Sequence, residues 1–277
     1  MNRRTWMQGL GTLGTLAFGC RCVGAPYLPS SHFASRSAAS STAEPAKTVP
    51  AALPDAVAGV RLVDSKVARM ATELSRDVSP AFLFNHAVRT FLLGSLIGRA
   101  TMGRAAMGRA AMGPAAGQSF DEELLYLACI LHDLGLTEQF AGDRAFEIEG
   151  AEAAKHFLQG QSYGEDRIEV VWDGIAMHAS AIGQFKRPEI ALVGEGAGAD
   201  VLGPDFSLVK KSDVAAVLAA FPRLQFKSAF VKTCADVVSK HPRGAGRSFM
   251  RDVGERHVPD FRPTNFCDLI AQAPFEE

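Results

Sequence analysis

His132 and Asp133 are adjacent at the end of a largely apolar stretch, Leu124-Leu125-Tyr126-Leu127-Ala128-Cys129-Ile130-Leu131. Imidazole and carboxylate are both ligands for a divalent metal ion. Neighbouring side chains on a helix point about 100° apart, so the two cannot share one stripe. They can converge where a helix ends and the backbone turns. Gly135 offers such an end, because glycine readily adopts the left-handed conformation that stops a helix. Three further polar groups stand in apolar surroundings: His86 after Phe84-Asn85, His178 after Ile175-Ala176-Met177, and Asp200 in Gly198-Ala199-Asp200-Val201. Burying any of them without a partner is costly. Taken singly, each reads as a hydrogen-bonded core residue or a helix end. Taken together, the five read as groups that satisfy one another around an ion.

The elements that must position them are helices. Asp64 is expected to cap a helix running to about Ser75, and Phe82, Phe84, Val88, Phe91, Leu92 and Leu96 recur at helical spacing over 80–98. Further helical patterns cover 121–134, 144–160, 166–180, 187–203, 211–220, 223–240 and 262–272, with no convincing alternating strand. The expected fold class is all-α. Arg99-Ala100-Thr101-Met102-Gly103 is followed by two near copies ending at Gly108 and Gly113. This five-residue period matches no solenoid repeat and reads as an insertion in a surface loop over 99–117.

Residues 26–58 are rich in Ser, Ala and Pro and are expected to form a linker, leaving 59–273 as one domain. Residues 1–25 place Arg3-Arg4, with Trp6 and Met7, ahead of a mildly apolar run, a pattern like a twin-arginine export signal. Val23-Gly24-Ala25 offers a small-residue cleavage site, and Cys20 an alternative lipidation site. The expectation is an exported, periplasmic protein, with a cytoplasmic one as the alternative. That run is too short for a stable membrane span. Across 277 residues, 47% hydrophobic and 21% charged, the formal charge is −1. No global positive field exists to attract nucleic acid. The five cysteines suggest no disulfide framework.

The ordered set of polar residues resembles the HD-domain metalloenzyme superfamily. The likeness extends to its cyanamide hydratase-like branch through Asn85-His86-x-x-Arg89, through Asp121-Glu122-Glu123-Leu124-Leu125-Tyr126 leading into Leu131-His132-Asp133, through Phe146-Glu147 with Gly150, through Ile175-x-x-His178, and through Phe221-Pro222-Arg223-Leu224. It covers about residues 60–270. The resemblance implies a single multi-helix HD domain holding one divalent metal on His86, His132, Asp133 and Asp200. Zinc is the expected ion, although iron and manganese also accept two nitrogen and two oxygen ligands. His178 is placed beside the metal, outside the ligand set, where a neutral imidazole suits proton transfer. The alternatives for it are a core histidine or a ligand to a second metal. Glu147 is expected to support a metal-bound histidine and to share the catalytic work. Asn85, Arg89 and Thr137 are expected around the site, Arg89 facing an anionic group or a carboxylate such as Glu147. Phe82, Phe84 and Trp172 could line a pocket or lie in the core.

A bound cation lowers the pKa of water toward about 7, so hydroxide can attack an electrophilic carbon or phosphorus. On cyanamide or a related nitrile the product is urea or an amide-like tautomer, with His178 as the expected proton donor. Only Arg89 and Arg144 lie near the motifs, which favours a small neutral substrate over a phosphate ester. A phosphohydrolase, and a metal-binding module without turnover, stay open as alternatives. Oligomeric state also stays open, a homodimer included.

Overall fold

The computed structural model describes residues 53–110, 120–265 and 267–268. The leader and most of the linker lie outside the described residues. A two-residue hairpin, β1 (Ala56–Val57) and β2 (Val60–Arg61), turns through Ala58 and Gly59, both at positive φ. Among the described residues nine α-helices follow. They are α1 (Lys66–Val78), α2 (Ala81–Ala110), α3 (Glu122–Leu131), α4 (Phe146–Gly160), α5 (Glu165–Met177), α6 (Pro188–Leu202), α7 (Lys211–Ala220), α8 (Phe226–Lys240) and α9 (Met250–His257). The fold class is all-α, as expected.

The centre is α3, whose residues Leu124 to Leu131 are all buried. A helix apolar on every side must be covered on every side, and α1, α2, α5 and α6 surround it. Asp121 caps its start, accepting from the backbone N–H groups of Glu123 and Leu124 at 3.0 Å each. Arg167 of α5 then ties Asp121 and Glu123 together. The segment Ala81–Gly103 of α2 is long and apolar enough to cross a bilayer, but it is mostly buried inside the protein.

The crossing of α2 and α6 decides where the polar residues meet. A Cβ on Gly196 would lie 2.2 Å from the Thr90 carbonyl oxygen, so only glycine permits this approach. One turn beyond Gly196 stands Asp200, and one turn before Thr90 stands His86. The closeness of the two backbones therefore brings those two side chains together.

Several expectations are corrected. Ser65, not Asp64, caps α1, while Asp64 pairs with Arg69. The first two copies of the pentapeptide repeat, and the third up to Ala110, continue α2 instead of forming a loop. Arg, Ala and Met are good helix formers, and elongating an existing helix is far easier than nucleating one. Residues 111–119 lie outside the described residues. Gly135 does not take the left-handed conformation: it sits in a 3₁₀ turn, Leu134–Leu136. It must be glycine for another reason, since a Cβ there would lie 2.0 Å from the Phe146 carbonyl oxygen of α4. The helix expected over 262–272 has not begun by Asn265, whereas α9 had no clear signal.

Candidate metal centre

Three histidines arrive at one place by related means. His132 follows the last residue of α3, and its Nδ1–H donates to the Cys129 carbonyl three residues back, at 2.7 Å. His178 does the same at the end of α5, donating to Ile175 at 2.7 Å. Both rings thus use carbonyls left without partners at a helix end. His86, near the start of the buried part of α2, directs Nδ1 at Asp200 Oδ2, 2.7 Å away. With each Nδ1 engaged by an acceptor, each Nε2 is left with its lone pair.

The Nε2 atoms of His86 and His132 are 3.3 Å apart. Asp133 Oδ2 lies 3.5 Å from the first and 3.2 Å from the second. An ion held tetrahedrally at zinc–ligand distances would separate its ligand atoms by about 3.3 to 3.6 Å. The fit has a second support: Asp133 Oδ2 is buried without a hydrogen-bond partner. Buried lone pairs that face one another with no proton between them are unfavourable, and a cation removes the conflict. His178 Nε2 stands outside the triangle, 3.8 Å from Asp133 Oδ1. A cavity of about 540 Å³ opens over His86, His132, Asp133 and His178.

The charges are arranged accordingly. Burial would raise the pKa of Asp133, but the neighbouring His132 above all, then His86 and His178, outweigh it and keep the carboxyl ionised. Burial lowers His86, more than its contact with Asp200 restores. For His132 burial is again the largest influence, yet Asp133 reverses it and the net direction is up. His178 falls to about 4 through burial and the neighbouring His132, so it is neutral at pH 7 with Nε2 free to accept a proton. Glu147, near the start of α4, rises to about 7 through burial, with the charge of Asp133 adding to it, and its Oε2 is buried without a partner.

Asp200 does not join the triangle. Its oxygens are taken by Arg89 Nε and Nη2 at 2.8 and 2.7 Å, Arg223 Nη1 at 2.9 Å and His86 Nδ1. Burial would push its pKa up, but His86 and Arg89 hold it well below the usual carboxylate range. Arg89 therefore pairs with Asp200, not with Glu147. Its Nη1 also reaches the carbonyls of Phe221 and Pro222, and Asn85 donates to Pro222 as well. Asn85 and Arg89 thus bind α2 to the loop before α8 and do not border the cavity. Thr137 is also elsewhere, its hydroxyl donating to Leu134 beside a different cavity. Arg144 pairs with Glu149 at the surface. Phe84 is core, Phe82 packs on Phe226, and Trp172 donates to Glu152.

Sequence reasoning missed Arg223 as a clasp on Asp200, although the segment containing it had been singled out. It also missed Phe226 and Phe230, spaced one turn apart on α8, whose rings lie 4.9 and 6.0 Å from His86. That spacing was the available signal. Phe249, which borders the cavity, carried none.

Residues 83–195 match the family model of the HD domain. The chain is 26% identical over 199 residues to two cyanamide hydratases of Saccharomyces cerevisiae, DDI2 and DDI3, covering 70% of this chain and 83% of each relative. A shorter match, 36% over 59 residues, joins 21% of this chain to 38% of an uncharacterized protein of Clostridium beijerinckii. Metal binding is a property of HD domains, and the His-His-Asp group described above lies within the matched segment. Over residues 83–195 the chain is similar to the HD domain, and its wider likeness runs to cyanamide hydratases of that superfamily.

Proposed function

We propose that the protein hydrates the carbon–nitrogen triple bond of a neutral nitrile-type substrate, with cyanamide as the reference case. The site would be a metal centre held by His86, His132 and Asp133, with zinc as the proposed ion. The observation that carries this reading is the absence of any Lys or Arg among the described residues lining the cavity. A phosphate ester needs cationic partners, and the nearby Arg89 and Arg223 are committed to Asp200 on the far side of His86. The activity in the names of the two yeast relatives points the same way.

A divalent ion bound there would supply Lewis acidity, lowering the pKa of water toward about 7. The protein supplies orientation and proton handling. His178, neutral and with Nε2 open to the cavity, takes the proton of the water adding to the nitrile carbon and returns it to the nitrogen. The carbon gains a hydroxyl and the nitrogen a hydrogen, giving the tautomer of an amide, or of urea from cyanamide. His178 therefore accepts a proton first and then serves as the donor expected from the sequence. Asp200 acts through His86 as a positioning residue, and Glu147 holds a proton near neutrality where Asp133's charge is felt.

The test measures urea released from cyanamide by purified protein, with metal content in parallel. Metal bound near one equivalent and urea formed, both lost in His86→Ala, are the expected results. Turnover of p-nitrophenyl phosphate without urea would overturn the reading in favour of a phosphohydrolase. Bound metal with no turnover of either would leave a binding module.

A further inference from the structure

The cavity is much larger than cyanamide. Its volume is about 540 Å³, within the range that holds drug-sized ligands, whereas cyanamide is one carbon between two nitrogens. Its walls are largely apolar: Met177 and Ile190 near the ends of α5 and α6, Val201 and Leu202 farther along α6, Phe230 on α8 and Phe249. The apolar surface continues outward, for Leu202 is 88% exposed and Phe249 36% exposed. Water filling such a space is easily displaced by hydrocarbon, and the gain scales with the apolar area covered.

We infer that the preferred substrate is a nitrile or cyanamide group attached to an apolar body, the polar end at His132, Asp133 and His178 and the body along α6. The inference rests on the proposed hydration for its reacting group, but on the cavity alone for the apolar body. Gly198 gives direct access to the question. It lies on the cavity wall, and a Cβ added there would meet nothing within 4 Å. The first atom of a larger side chain at this position meets no neighbour, so the substitution is expected to narrow the cavity while the fold is kept.

The experiment uses the full chain and a series from cyanamide through N-methyl-, N-propyl-, N-hexyl- and N-benzylcyanamide. Binding is measured by calorimetry, with and without added zinc, and hydration by mass spectrometry of the substituted ureas. Affinity and kcat/KM should rise by about fourfold per buried methylene until the cavity is filled. Gly198→Leu should cut the preference for the hexyl compound over cyanamide at least tenfold. Binding and turnover that stay flat along the series, or that favour cyanamide, overturn the inference and leave hydration standing. Binding that tightens along the series while no member is hydrated sinks the proposed reaction and keeps the apolar ligand.

Discussion

At the scale of single residues, Asp200 can serve a metal centre without touching the ion. Its oxygens are occupied by two arginines and a histidine. What remains for it is to fix the His86 ring so that Nε2 presents its lone pair. Asp200→Asn should therefore weaken metal binding about 10- to 100-fold, measured by competition with a chromogenic chelator. Unchanged affinity would reduce Asp200 to a structural anchor. Glu147 gives a prediction with a sign. Its pKa is raised to about 7 by burial, so folding favours the protonated carboxyl. The stability this group contributes is fully present below the carboxyl's ordinary value of 4.5 and is lost as the pH rises through about 7. In metal-free protein, Glu147→Gln should unfold later than wild type near pH 8, by up to about 3 kcal/mol, with little difference near pH 5. Equal urea midpoints at both pH values would sink this account.

At the scale of elements, two glycines on α6 should respond in opposite ways. Gly196→Ala forces a methyl against the Thr90 carbonyl oxygen and the Gly94 backbone. It should destabilise the protein by about 1–3 kcal/mol or more. Because it separates α2 from α6, it should also loosen the bond between His86 and Asp200 and weaken metal binding. Gly198→Ala, two residues on, meets open space and should be neutral or stabilising by up to about 1 kcal/mol. Denaturant melts of the pair decide it: equal effects would mean that the helix crossing does not depend on close backbone contact. The helices themselves were legible because apolar residues recur at helical spacing. Gly196 and Gly135 were not legible as contact points, since their need for glycine comes from a second backbone far away in the chain. The odd period of the repeat suggests a loop, but its Arg, Ala and Met content favours the helix it forms up to Ala110.

At the scale of the whole molecule, the buried cluster should couple metal binding to folding. Like lone pairs and an unpartnered carboxylate oxygen at the centre of the helices disfavour the metal-free fold, and a bound cation relieves them. Zinc at 100 to 1,000 times its dissociation constant should add about 3–4 kcal/mol to unfolding stability, and a chelator should remove it. A melting curve indifferent to both would argue against a metal at this site. The sequence alone determined the all-α class, the HD-domain likeness and the buried polar residues His86, His132, Asp133, His178 and Asp200. These are local properties: periodicity, and polar side chains set in apolar runs. Only the tertiary structure decided which of those groups face one another. Arg89 and Arg223 claim Asp200 from 111 and 23 residues away. The hydrogen bond to Ile175 and burial leave His178 neutral, with the lone pair of Nε2 free. Phe230 and Phe249, outside the motifs quoted for the resemblance, wall a cavity with no Lys or Arg among its described lining residues. Each outcome depends on how helices distant in the chain cross, and that is set by the packing of many side chains at once.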